Sequence, residues 1–316
     1  MTFILFFTAA IIVIVAAIQL NKYGDVINQK SSMSGAMVGT FLIGGATSLP
    51  ELTTSLTAVY IDNPDIAVGN MLGSNVFNVL ILMSFDLIYS RKRVFNKIQE
   101  RAHLPVANTG FVMTVLLVFA IFLDNSPSYF NIGIEMYMLI ILYLFVVRKL
   151  DNEEEEIEVN SNYTLGQGIT RFVLAAAVVF IAGSTLTITG DAIAEQTGMN
   201  ASFVGSFLIA ASTSLPELVT VLAAFQMARY SLAIGSILGS NLFNLQLLVI
   251  TDIFYQKGPI LSMTSISNAM TAMLGLMMIF LTIYALQRPS IKNRIIYMLP
   301  ASLTIILYFI ATYMMF

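Results

Sequence analysis

Two glutamates set the chemistry of this sequence. Glu51 and Glu217 lie inside long apolar stretches, and each follows the segment Thr-Ser-Leu-Pro. A carboxylate at the centre of a membrane helix costs roughly 2.5–3.5 kcal/mol on insertion scales. No basic residue stands at that depth in the stretches that carry them, so each is either protonated or neutralised by a bound cation. The prolines supply further ligands. Pro50 has no N–H and its ring clashes with the carbonyl of Ala46, and Pro216 does the same to Ser212. Backbone broken at membrane depth is tolerated where it lines a cavity. Freed carbonyls beside carboxylates are hard oxygen ligands, of which calcium gathers six to eight at about 2.3–2.6 Å. Thr47, Ser48, Thr213 and Ser214 stand one turn before the glutamates. Ser74 and Asn78, four apart, share a helix face, as do Ser240 and Asn244. With no cysteine and one histidine, His103, the ligand set is oxygen, which suits calcium, sodium or protons better than zinc or copper. Bland readings compete at several positions. Serine and threonine hydroxyls in membrane helices often bond their own backbone, the asparagines can serve as ties between helices, and Asp86 and Asp252 read as interfacial residues near helix ends.

These residues recur. Residues 39–82 align with 205–248 at a constant offset of 166, without a gap, and 22 of the 44 positions are identical. Shared apolar bias gives scattered Leu, Ile and Val coincidences, but it does not align Thr-Ser-Leu-Pro-Glu and Leu-Gly-Ser-Asn-x-Phe-Asn, which are largely polar. The glycines of Gly69-x-x-x-Gly73 and Gly235-x-x-x-Gly239 permit close helix approach.

The elements that must carry the residues follow from composition. The chain has 316 residues, 57% apolar and 10% charged, against about 25% charged in soluble domains. It therefore reads as an integral membrane protein, and its continuous apolar runs read as helices, since barrel strands alternate over ~10 residues. Ten spans are expected, at 3–20, 35–60, 64–90, 104–123, 130–147, 166–190, 201–228, 230–255, 261–286 and 295–315. Of 15 basic residues, 14 then fall on one side and only Lys257 on the other. Positive residues stay in the cytoplasm, so both termini are expected outside. Five spans separate equivalent points of the repeat, and because five is odd the second copy enters the membrane upside down. The expected organisation is a first five-helix half over 1–150, an acidic cytoplasmic linker over 151–165 and a second, inverted half over 166–316, with the second and seventh helices broken. The linker run from Asp151 to Glu158 reads as a solvated connection, with a calcium-sensing loop as the sharper alternative. The N-terminal run has no basic residue before it and reads as a retained helix. The net charge of −3 gives no basic excess for nucleic acid. The absence of cysteine excludes disulfides, thiolate metal sites and cysteine nucleophiles.

At the repeated residues the chain resembles the cation/calcium exchanger superfamily, the sodium/calcium exchangers and their prokaryotic relatives. The hallmark there is a pair of inverted repeats, each with a Gly-Thr-Ser-x-Pro-Glu-like segment followed by a Gly-Ser-Asn-like one. Here these are the residues from Ala46 to Glu51 with Gly73 to Asn78, and from Ser212 to Glu217 with Gly239 to Asn244. The resemblance implies a central set of cation sites among the second, third, seventh and eighth helices. Glu51 and Glu217 would bind calcium, helped by the carbonyls of Thr47 and Thr213. Sodium would use Ser48, Ser74, Ser214 and Ser240, with carbonyls near Gly44 and Ala210, and the first and sixth helices would slide across the core. Two departures stand out. The family's glycine before Thr-Ser is Ala46 in one copy and Ser212 in the other, which stiffens the kink. Asn78 and Asn244 are both neutral where some relatives carry an aspartate.

The expected function is a secondary antiporter in the cell membrane, exchanging calcium for sodium by alternating access, a use to which inverted repeats are suited. Its partners are calcium and sodium ions and the lipid bilayer, with no cofactor, and a monomer is compatible with the pattern. Proton/calcium or other divalent exchange is the nearest alternative, and a cation channel is a further one. An intramembrane enzyme is disfavoured, because the sequence holds no HExxH pattern and no Ser–His pair at membrane depth.

Overall fold

The computed structural model describes residues 1–30, 48–97, 100–123, 127–148 and 163–316. Gly44, Ala46, Thr47 and the acidic run from Asp151 to Glu158 lie outside the described residues. Eleven α-helices are numbered here in chain order. They are α1 (Thr2–Lys30), α2 (Leu49–Tyr60), α3 (Pro64–Ile88), α4 (Glu100–Phe122), α5 (Ile134–Val147), α6 (Leu165–Thr197), α7 (Ala201–Thr213), α8 (Leu215–Gln226), α9 (Tyr230–Phe254), α10 (Ile266–Gln287) and α11 (Arg294–Met315). Seven of them are long and apolar enough to cross a membrane, and α7 with α8, bent by 45° at their junction, meets the same length and composition together. The chain is a multi-pass, all-helical membrane protein.

The repeat governs where helices begin and end. Adding 166 to the bounds of α2 and α3 returns those of α8 and α9 residue for residue. The short 3-10 turns Val94–Lys97 and Ile260–Met263 obey the same offset. So do two tight turns, with Asp62 at φ 61° and Ala228 at φ 57°. Local signals set the ends. Pro50 and Pro216 stand in the first turns of α2 and α8, where a missing N–H costs nothing. The Asn63 side chain accepts from Ile66 N ahead of Pro64. Thr164 and Gln167 form a reciprocal capping box on α6, which ends on Gly198 at φ +74°.

Three expectations are corrected. The fifth span does not begin at residue 130. Phe130 and Asn131, both at positive φ, instead turn a hairpin between β1 (Ser128–Tyr129) and β2 (Ile132–Gly133), and α5 starts at Ile134. At 14 residues it is about 21 Å long, short of the ~30 Å hydrocarbon layer. The first and sixth helices run past residues 20 and 190, to Lys30 and Thr197. Asp86 and Asp252 are not at the interface, because each is 1% exposed. Asp252 accepts from Gly133 N (3.0 Å) and Ile260 N (2.6 Å). Asp86 accepts from the Tyr297 hydroxyl, which in turn accepts from Phe95 N at 3.1 Å. Both carboxylates thus tie down the connection that follows their helix.

The packing has two parts. α3 is the hub, touching α2, α7, α9, α10 and α11, and α4 packs along α10. α1 and α6 lie along each other and share a small separate core of Ala16, Ala17, Leu20, Ala175 and Val179. Small side chains there let the two helices approach closely.

Candidate cation site

The site is built where two helices start inside the protein. Ser48 and Ser214 leave helical geometry (φ −98° and −90°, ψ 12° and 5°) immediately before α2 and α8. Each glutamate therefore sits in the first turn of a helix, among N–H groups with no partner in the helix and at the positive end of its dipole. Both glutamates fold back to accept from their own backbone N–H. The bend on the α7 side falls at Ser214, as the proline predicts. α7 itself carries a π-helical stretch at Val204–Ile209.

The two glutamates come together. Glu51 is 1% exposed and Glu217 5%, and their charges are close enough to repel. Ser214 Oγ donates to Glu51 Oε1 at 3.4 Å, joining the halves. No lysine or arginine forms a salt bridge with either glutamate among the described residues. Each carboxylate keeps one buried oxygen, Oε2, without a hydrogen-bond partner.

Around them the expected residues are placed as follows. Ser48 is buried and its hydroxyl has no partner. The Thr213 hydroxyl lies 3.4 Å from Ser74 Oγ, 3.4 Å from Asn70 Oδ1 and 3.2 Å from the carbonyl of Ala210. That carbonyl also accepts from Ser214 N at 3.0 Å, so in this conformation Ala210 offers no vacant lone pair. Ser212, where the family has glycine, bonds its own helix through Leu208 O at 2.8 Å. Ser240 is half-buried. Asn78 and Asn244 are tied between helices as the bland reading held, yet only through their nitrogens. Asn78 Nδ2 donates to Asn241 Oδ1 (3.0 Å) and Asn244 Nδ2 to Asn75 Oδ1 (3.1 Å). Their carbonyl oxygens remain buried and unpaired.

Three residues escaped the sequence reading as parts of the site. Asn75 and Asn241 donate to each other's backbone carbonyl, both at 3.1 Å and 166 residues apart. A contact in which i meets j as j meets i is the mark of a two-fold relation. The signal was present, since both asparagines occupy equivalent positions of the repeat. Asn70 ties α3 to α2, donating to Glu51 O (3.1 Å), Thr54 Oγ1 (2.7 Å) and Ser55 Oγ (2.9 Å). Its counterpart is Ser236, so the repeat could not flag it.

Close backbone approach holds these helices in place. A Cβ on Gly73 would lie 2.1 Å from Ser206 O, and one on Gly205 2.8 Å from Ile66 O. Glycines on both α3 and α7 therefore allow their crossing. Gly239, the counterpart of Gly73, has nothing within 4 Å of its Cβ position. The residue equivalent to Ser206 in the first copy is Thr40, outside the described residues.

A buried pair of carboxylates beside neutral oxygens has donor chemistry that suits a hard cation. Comparison with known proteins gives the family. The profile of the sodium/calcium exchanger protein family matches residues 1–149 and 168–316. The chain belongs to this family. Members are secondary transporters, and the chain is a calcium-exchanger-family antiporter. Among curated relatives, the putative antiporter CaxA of Alkalimonas amylolytica is 27% identical over 222 residues, 68% of each chain. Sodium/calcium exchanger MaX1 of Methanosarcina acetivorans is 24% identical over 277 residues, 74% of this chain and 77% of that one. Among solved structures, the sodium-calcium exchanger NCX_Mj shares the fold with TM-score 0.58 and 21% identity over 98% of both chains. The H+/Ca2+ exchanger CAX does so with TM-score 0.69 and 15% identity, over 99% of this chain and 88% of that one.

Proposed function

We propose that this exchanger extrudes calcium from the cytoplasm against inward sodium, both ions binding at Glu51 and Glu217. The observation that carries the reading is a set of five buried oxygens without partners: Glu51 Oε2, Glu217 Oε2, Ser48 Oγ, Asn78 Oδ1 and Asn244 Oδ1. Each such group costs about 1–3 kcal/mol when left bare, and hard cations are the ligands that oxygens of this kind take. The Glu51 and Glu217 carboxylates, with the carbonyls of Thr47 and Thr213 and the amide oxygens of Asn78 and Asn244, are the calcium ligands in this reading. Ser48, Ser74, Ser214 and Ser240, with the Gly44 and Ala210 carbonyls, serve sodium, which requires the Ala210 carbonyl to give up a present bond.

Two carboxylates bring a charge of −2, which one calcium or two sodium ions cancel. The bare pair resists passage through an apolar barrier, whereas the neutralised one can be exposed to either side. That difference between states is what lets an ion drive the switch. The scaffold proposed is ten spans in two inverted halves, 1–150 and 166–316, joined by a cytoplasmic linker over 151–165, with both termini outside. The 166-residue offset shared by the helix bounds and the reciprocal Asn75–Asn241 contact support it. The separate core of α1 and α6 supports their sliding as a unit.

Two protons would cancel the same charge, because every other oxygen of the set is neutral. Proton/calcium exchange is therefore the second reading. Calcium-45 uptake into proteoliposomes separates the two. With pH clamped on both sides, an outward sodium gradient should drive uptake. Uptake that ignores sodium and follows an imposed pH gradient would replace the first reading with the second.

A further inference from the structure

On the side of the chain that holds Lys257, the ends of α2 and α9 and the flank of α6 enclose a crevice of about 800 Å³, within the range of roughly 300–1,000 Å³ for sites that take small molecules. Its walls are apolar, with Leu56 and Val59 from α2, Phe180 and Ile188 from α6 and Phe254 from α9. Phe180, Ile188 and Phe254 are 58%, 51% and 60% exposed, and in a membrane-spanning chain that exposure is to lipid. Thr57 and Ser184 on the wall bond each other at 3.0 Å, and Tyr60, Tyr255 and Gln256 also line the crevice, in the segments that carry Asp62 and Lys257. The mouth is different. It carries Lys257 paired with Asp62, the one salt bridge among the described residues. Both side chains are more than half exposed, at 62% and 52%. An ion pair this exposed contributes little to stability, and both of its ends are open to a competing ligand.

We propose that the crevice binds a phospholipid with a phosphoethanolamine head. An acyl chain lies between Phe180, Ile188 and Phe254, the phosphate meets Lys257, and the primary ammonium meets Asp62. The head group carries both charges of the existing pair, so each protein charge exchanges its partner for an equivalent ion and none is left over. An anionic head without an amine engages Lys257 but faces Asp62 with like charge. A choline head has no N–H to donate to the carboxylate, and charge-assisted hydrogen bonds are the strong ones.

The test is native mass spectrometry of the purified full chain. The protein is incubated with equal amounts of phosphatidylethanolamine, phosphatidylcholine and phosphatidylglycerol of matched acyl chains. The wild type should retain phosphatidylethanolamine several-fold over the other two. Asp62→Asn should abolish the preference over phosphatidylcholine. Asparagine suits the φ of 61° at this position, so the turn is kept. Lys257→Gln should lower retention of phosphatidylethanolamine several-fold. Both positions are exposed, and unchanged unfolding midpoints would confirm that the variants fold. Equal retention of the three lipids by the wild type, preference for phosphatidylglycerol, or an undiminished preference in Asp62→Asn would each overturn the proposal.

Discussion

Replacing Asn75 by alanine tests how the site holds its neutral ligands. Two hydrogen bonds vanish, Asn75 Nδ2 to Asn241 O and Asn244 Nδ2 to Asn75 Oδ1, both 3.1 Å long. Hydrogen bonds between membrane helices average about 0.6 kcal/mol and reach ~1.7, so the stability loss should be roughly 1–3 kcal/mol. The effect on calcium works through Asn244. Its nitrogen loses the acceptor that turns its carbonyl oxygen away from Asn75, and the amide is free to rotate. Calcium affinity should fall about tenfold, equivalent to ~1.4 kcal/mol. Asn241→Ala removes the mirror-image pair, Asn241 Nδ2 to Asn75 O and Asn78 Nδ2 to Asn241 Oδ1, and should match it. Asn75 and Asn241 touch each other, so the double variant should depart from additivity by about 0.5–3 kcal/mol. Isothermal titration with calcium in detergent reads the affinity, and thermal unfolding reads the stability. Calcium affinity within twofold of wild type in Asn75→Ala, or an Asn241→Ala variant that behaves unlike it, would refute the reasoning.

Other consequences follow from the packing. Gly73→Ala puts a Cβ 2.1 Å from the Ser206 carbonyl and 2.5 Å from its Cα. Backbone cannot step aside, so a loss above ~4 kcal/mol is expected, seen as failure to yield monodisperse protein. Gly239→Ala meets nothing within 4 Å and should unfold at the wild-type temperature. If the two halves trade packing during transport, it should nonetheless exchange calcium slowly, and wild-type flux would contradict that trade. Tyr297→Phe strands the buried Asp86 carboxylate and the Phe95 N–H. It should cost about 2–4 kcal/mol of stability, measured by thermal unfolding, with calcium affinity unchanged in the protein that folds.

The sequence exposed what the repeat duplicates and what depth makes expensive. Glu51 and Glu217 stood out because carboxylates are rare in apolar runs and these recur at a fixed offset. The break before α8 was legible from Pro216, since a missing N–H acts locally. The start of α5 was not legible. Residues 130–133 run straight into the apolar stretch of the fifth span, and the Gly133 N–H at the end of the hairpin finds Asp252, 119 residues away. Asp86 and Asp252 were misread for the same reason, because the Tyr297 hydroxyl and the Gly133 N–H that reach them stand 211 and 119 residues away in sequence. Asn75 and Asn241 were visible as repeated residues, but their role lies in a contact between halves that spacing within one helix does not reveal. Asn70 breaks the symmetry, and only the tertiary structure shows it bridging α2 and α3.

Calcium-45 counterflow in proteoliposomes carrying Glu51→Gln or Glu217→Gln bears most directly on the central claim. Each glutamine keeps the size and the neutral oxygen but removes one of the two charges that a divalent ion must meet. Monodisperse protein with calcium exchange reduced at least 100-fold in both variants is the result expected. Exchange at the wild-type rate in either one would show that the buried carboxylate pair is not the place where calcium binds.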